Sequence, residues 1–244
     1  MQATDSSPIS PLERLVARAE QLMQRIEAVL PQPLQAPADW GAAIAWRYRK
    51  RANGCGVLEP VRHVGAMQLS DLQNIDAQKE KIARNTEQFV QGRTANNVLL
   101  TGARGTGKSS LIRACLHAYA DQGLRLIEVD KADLTDLPDI VEVVAARPEY
   151  FIIYCDDLSF EEGEPGYKAM KSILDGSVSA ATPNVLVYAT SNRRHLLPEY
   201  LSENLQTSKG QDGEIHPGEV VEEKISLSER FGLWVSFYPF SQDE

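Results

Sequence analysis

The run Val98-Leu99-Leu100-Thr101-Gly102-Ala103-Arg104-Gly105-Thr106-Gly107-Lys108-Ser109 constrains the chain more than any other segment. It joins an apolar stretch suited to a buried strand to the pattern Gly-x-x-x-x-Gly-Lys-Ser. An amphipathic segment that reads as a helix over 109–120 follows. Strand, glycine-rich loop and helix in that order make an anion cradle. Gly102, Gly105 and Gly107 permit backbone conformations closed to other residues. The loop N–H groups then approach phosphate oxygens beside a helix N-terminus. Lys108 supplies a point charge to the β and γ phosphates of a nucleoside triphosphate, expected to be ATP, and the Ser109 hydroxyl suits Mg2+. The expected binding set is Gly102, Ala103, Arg104, Gly105, Thr106, Gly107, Lys108, Ser109 and Ser110. Within it, Arg104 either touches phosphate or faces solvent, and Ser110 fits the helix surface better than a ligand position.

Downstream of Gly92, short apolar runs alternate with amphipathic segments. Strands are expected at 98–100, 126–129, 151–154, 185–189 and 233–237, and helices at 109–120, 137–146 and 167–174. Such alternation implies right-handed crossovers and a parallel sheet covered on both faces. The run Phe151-Ile152-Ile153-Tyr154-Cys155-Asp156-Asp157 is an apolar strand ending in two acids. Ligands of open α/β sheets bind at the carboxyl ends of strands. Asp156 is therefore the candidate magnesium carboxylate, with Ser109, and Asp157 the candidate that orients or deprotonates an attacking water. Cys155 is expected to pack in the core.

Before Gly92 the signals differ. Residues 1–9 read as disordered. Leu12, Leu15, Val16, Ala19, Leu22, Met23, Ile26 and Val29 recur at helical spacing, and Pro31 and Pro33 end that helix. Asp39 is read as the cap of a second helix through Trp40, Ile44, Ala45, Trp46 and Tyr48. Its tail, Arg47-Tyr48-Arg49-Lys50-Arg51, is the densest basic run, either a solvated helix end or a contact for nucleic acid or an acidic partner. A helix with its approach is expected over 70–92, capped by Asn74 or Asp76, with Ile82, Thr86 and Phe89 on its buried side. The division expected from these patterns is a helical N-terminal extension, 1–62, and an α/β core, 63–244.

The net charge of -9 disfavours a broad phosphate-binding surface and hence nucleic acid. No apolar run reaches the length of a membrane span, and the first eight residues lack the layout of a secretion signal. Three widely spaced cysteines fit neither a disulfide framework nor a zinc site, and suit a reducing cytoplasm. The polar stretch 203–224 is either functional or disordered, and His216 within it lacks metal-ligand spacing.

These residues resemble the AAA+ ATPases. Residues 102–109 look like Walker A, and Tyr154-Cys155-Asp156-Asp157 like Walker B. Ala189-Thr190-Ser191-Asn192 resembles sensor 1, with Asn192 as the polar sensor. Ser228-Glu229-Arg230-Phe231-Gly232 is similar to the segment that carries an arginine finger, with Arg230 as the candidate acting on a neighbouring subunit. The runs 95–100, 155–161 and 231–239 more closely resemble one bacterial family of predicted AAA+ ATPases, the domain-of-unknown-function family eight-fifteen. The resemblance implies a P-loop NTPase three-layer sandwich with a parallel five-stranded sheet in the order 5-1-4-3-2. It further implies catalytic roles for Lys108, Asp156, Asp157, Asn192 and Arg230 in magnesium-dependent ATP hydrolysis.

Two departures stand out. Asp157 occupies a position where the family pattern has glutamate, with Glu161 or Glu162 as possible substitutes. The sequence ends at Glu244, soon after the last predicted strand, so the helical lid of AAA+ modules is expected to be absent. Three readings follow. The first is an ATPase serving an unknown protein client. The second is a nucleotide-dependent binding module with little turnover. The third is a nucleic-acid loader using residues 47–51, Arg193 and Arg194. His195 reads as a solvated loop residue.

Overall fold

The buried strands are apolar along most of their length, because each must satisfy a core on both faces. In β3 (Val98–Gly102), Val98 and Leu100 point into one core and Leu99 into the other. In β5 (Tyr150–Cys155), Ile152 and Tyr154 join the first core, while Phe151, Ile153 and Cys155 join the second. β6 (Val185–Ser191) divides Leu186 and Tyr188 from Val187 and Ala189 in the same way. α2 (Asp76–Val90) and α3 (Lys108–Tyr119) cover the first core through Ile82, Phe89, Leu111, Ile112 and Leu116. α4 (Leu137–Ala145) and α5 (Pro165–Leu174) cover the second through Leu137, Ile140, Val144, Tyr167 and Met170. A computed structural model describes residues 11–27, 34–161, 164–175, 182–192, 196, 208–209, 215–216 and 227–239.

Among the described residues the sheet has seven strands. β1 (Ala45–Lys50), β2 (Gly56–Pro60), β4 (Leu124–Glu128) and β9 (Leu233–Phe237) complete it, in the order β2-β1-β4-β5-β6-β3-β9. β7 (Ser208–Lys209) and β8 (Ile215–His216) form a separate antiparallel ribbon inside the long polar stretch. Numbered from the phosphate-loop strand, the run β4-β5-β6-β3-β9 is 2-3-4-1-5, the order implied by the AAA+ resemblance. These strands are mutually parallel, and β1 extends the parallel set beside β4. Among the described strands of this sheet only β2 runs antiparallel.

The N-terminal expectations need correction. α1 (Pro11–Glu27) forms within the expected helix, whose expected end at residues 28–33 lies outside the described residues. The second helix does not form. Trp40–Ala42 is a single 3-10 turn, capped by the Asp39 carboxylate accepting from Gly41 N–H at 2.7 Å, and residues 45–60 are strands of the main sheet. The physical reason is period. Trp46 and Tyr48 alternate with Arg47 and Arg49, and aromatic residues on every second position suit a half-buried strand. Trp40 packs edge-on against Trp46 at 5.4 Å, a pair that an α-helix would turn about 120° apart, and against Phe151 at 5.0 Å. The helical description of 1–62 therefore holds for α1 alone, and the sheet crosses the expected boundary at 62. α2 also starts differently, with Ile75 at its cap position and Asn74 in a left-handed conformation. Its buried side is as expected: Ile82, Thr86 and Phe89 are all buried.

Polar pins lock the phosphate-loop strand in place. Asn85 donates to Asn96 O at 2.9 Å and accepts from Asn96 N–H at 3.0 Å, and Asn97 Oδ1 accepts from Val187 N–H at 2.9 Å. Satisfied buried amides of this kind specify one register. At the other end of β3, Gly102 has φ 141, and a Cβ there would lie 2.1 Å from the Phe237 carbonyl oxygen of β9. Gly102→Ala is expected to cost about 2–4 kcal/mol of stability through this backbone clash, read as a lowered midpoint in denaturant unfolding.

Candidate active site

The loop between β3 and α3 wraps its own lysine. Gly105 (φ 79) and Gly107 (φ 90) take left-handed conformations, and Gly107 caps α3. Thr106 Oγ1 donates to Ala103 O at 2.9 Å and closes the turn. Lys108 is buried, and its Nζ donates to Gly102 O and Ala103 O, each at 2.7 Å, and to Asn192 Oδ1 at 3.1 Å. Burial lowers the lysine pKa, and the nearby Asp156 and Asp157 only partly offset it.

The carboxyl ends of β5 and β6 supply the other wall. Asp156 Oδ1 accepts from Ser109 Oγ at 3.0 Å, Thr190 Oγ1 at 2.5 Å and Asp157 N–H at 3.2 Å. Burial raises the Asp156 pKa, but the Thr190 and Ser109 hydroxyls and the Asp157 N–H outweigh it and hold the carboxyl below its ordinary value. Asp157 has φ 51, a strained conformation for a residue other than glycine. Its N–H donates to Thr190 Oγ1 at 2.9 Å. Its Oδ1 accepts from Asn192 Nδ2 at 2.7 Å, and its Oδ2 lies 3.4 Å from Arg104 Nη2. Both partners of that last pair are exposed, so the ion pair itself is weak.

Together these residues enclose a cleft of about 290 Å³, lined by Arg104 to Ser110, Asp156, Asp157, Thr190 and Asn192. Gly102 and Ala103 stand behind it and hold the lysine. Glu161 is not among the lining residues, and Glu162, Arg193, Arg194 and His195 lie outside the described residues. Arg230 is also absent from the lining and is bonded to Asp175. Cys155 is buried and its thiol is pushed up to about 12, so it belongs to the core. Thr190 is the residue that sequence reasoning missed. A β-branched residue ending an apolar strand looks like ordinary strand filler, and only the three-dimensional register brings it against Asp156.

The donor set suits a small hard cation shared with a ligand. Among the described residues no three acidic, histidine or cysteine side chains cluster as a metal cage. One carboxylate and one hydroxyl beside an anion cradle match the way magnesium binds through few protein oxygens plus phosphate.

A family model described as "Protein of unknown function (DUF815)" matches residues 41–244. The chain belongs to the DUF815 family. Its fold is of the AAA+ P-loop type, as the strand order and loop show, and that type of fold is built for nucleotide binding. Among solved structures it is similar to the Thermotoga maritima RuvB Holliday junction branch migration motor, with 15% identity and a TM-score of 0.45. That match covers 74% of this chain and 51% of RuvB, so it spans about half of RuvB's length. It is also similar to DnaI, with 19% identity, a TM-score of 0.47 and coverage of 74% and 92%. Cdc6p from Pyrobaculum aerophilum aligns at 12% identity and a TM-score of 0.45, covering 75% of this chain and 48% of Cdc6p. No helix among the described residues of this DUF815 chain is long and apolar enough to cross a membrane.

Thr190→Val should raise the titration midpoint of Asp156 in metal-free protein, read by carboxyl-carbon NMR. In the wild type that midpoint is expected below the ordinary aspartate value of about 3.9. A depressed folded pKa contributes stability above the unfolded value and loses it as pH falls through the folded value. The stability gap between wild type and Thr190→Val, up to about 1 kcal/mol at neutral pH because solvent reaches Asp156, should therefore narrow in acid.

Proposed function

We propose that this DUF815 protein binds ATP with magnesium and hydrolyses it. The observation that carries the reading is convergence: Lys108, Ser109, Asp156, Asp157 and Asn192 come from three adjacent strand ends and meet in one cleft through direct hydrogen bonds.

In this reading the loop N–H groups and the α3 N-terminus hold the β-phosphate. Lys108 Nζ exchanges its carbonyl contacts for phosphate oxygens, and its proximity to the strand ends fixes where the γ-phosphate sits. Bound magnesium would neutralise charge on the β and γ phosphates, held by Ser109 Oγ and Asp156 with Thr190 orienting that carboxylate. Asp157 accepts a proton from the attacking water, and Asn192 fixes which way its carboxylate points. The left-handed Asp157 backbone carries the carboxylate across to Asn192, which supports a water-orienting role despite a side chain one methylene shorter than glutamate. Arg230 would serve a neighbouring subunit's nucleotide only after releasing Asp175.

One feature favours the second reading, a nucleotide-dependent binding module with slow turnover. Both Asp157 oxygens are engaged, by Asn192 and Arg104, so the base is restrained until those contacts change. The loader reading draws less support. Arg47 pairs with Glu128 at 2.7 Å and Lys50 with Asp136 at 2.8 Å, which removes two charges from the basic run.

Phosphate release from ATP by the purified protein tests the proposal. Lys108→Ala should lower it at least about 100-fold, chelation of magnesium should abolish it, and Asp157→Asn should lower it about 100-fold or more while ATP still binds. Tight ATP binding without release, in wild type and Asp157→Asn alike, would establish the binding module instead.

A further inference from the structure

α1 stands outside everything described so far. The family match starts at residue 41, and the helix occupies Pro11–Glu27. It contributes no side chain to either core. Leu12, Leu15, Val16, Leu22, Met23 and Ile26 are 47–70% exposed. A contiguous apolar surface of this kind marks an interaction site.

The pattern says what covers it. Leu12, Ala19 and Ile26 repeat at intervals of seven, as do Leu15 and Leu22, with Val16 and Met23 beside them. Apolar residues repeating with a seven-residue period fit another helix wound alongside. The edges of the stripe carry opposite charge. At about 100° per residue, Glu13 and Glu20 fall on one border of the apolar arc. Arg14, Arg18 and Arg25 fall on the other. Two copies lying parallel, related by rotation about an axis along the helices, set the arginine edge of one against the glutamate edge of the other. An antiparallel pair sets arginine against arginine. A membrane surface is a poorer match, because the helix has three arginines and three glutamates, whereas helices that lie on anionic lipid carry a polar face rich in cations.

We infer that α1 is a self-association element, and that its partner is α1 of a second copy of this chain packed in parallel. The strict repeat supplies the shape, and the opposed charged edges supply the orientation. The surface is independent of the nucleotide cleft, so it requires neither ATP nor turnover.

Light scattering and sedimentation of the nucleotide-free full chain test this. Wild type and Lys108→Ala should both form dimers or larger assemblies at micromolar concentration. Leu15→Glu/Leu22→Glu should weaken association at least about tenfold, since it removes two leucines from the apolar stripe and places charges there. Glu13→Arg/Glu20→Arg and Arg18→Glu/Arg25→Glu should each associate weakly alone and recover when mixed. Leu12→Cys should cross-link to its own copy on oxidation, whereas an antiparallel pair would hold these residues roughly 20 Å apart. A wild type that is monomeric throughout overturns the proposal. Association untouched by Leu15→Glu/Leu22→Glu does so too. So does monomeric protein that sediments with phosphatidylcholine vesicles and loses them in that variant, which would assign the helix to lipid. Loss of ATP hydrolysis in Lys108→Ala with association intact separates this inference from the proposed activity.

Discussion

The buried ammonium of Lys108 organises the site. A cation removed from water must find acceptors, and here they are the carbonyls of Gly102 and Ala103 and the amide oxygen of Asn192. Those three bonds reach the end of β3, the start of the loop and the end of β6. They require the loop to fold back over its own lysine, which in turn requires left-handed glycines at 105 and 107. The strand order then does the rest. Because β6 lies between β3 and β5, Asn192 stands between the loop and Asp157 and bonds to both, while Thr190 bonds to both aspartates.

Much of this was legible in sequence because it is local. The phosphate loop, the acids after β5 and the polar end of β6 are each written in contiguous residues, and each lies at the carboxyl end of an apolar run. What was not legible is relational. Thr190 gains its meaning only from facing Asp156, and Arg104 only from reaching Asp157. The N-terminal misreading has a different cause. Trp40, Ile44, Ala45, Trp46 and Tyr48 satisfy a helical period loosely and a strand period well, and short apolar runs are ambiguous between the two. Long-range pairing with β4 settled the matter, since Ala45, Trp46 and Arg47 sit in register with Leu126, Ile127 and Glu128.

That register also reinterprets the basic run. Arg47 and Lys50 do not form a free positive patch. They meet Glu128 and Asp136, and Tyr48 donates to the same Asp136 at 2.7 Å. The charges brace β1 against the end of β4 and against the turn Lys131–Asp136 that follows it. A cluster that looks like a binding surface in one dimension is, in three, part of the joint between the N-terminal hairpin and the central sheet.

The hairpin has a further consequence for how the molecule behaves among others of its kind. A parallel sheet ending at β1 would present an open row of peptide groups, a template onto which any extended chain can add. β2 covers that row with five residues. Its own outer rim is short: Gln35 already bridges to it, donating its N–H to Gly56 O at 3.0 Å, and Pro60 ends it without an N–H to offer. The antiparallel strand therefore closes this edge of the sheet to further strand addition, and on this side leaves contact between copies to side chains rather than bare backbone.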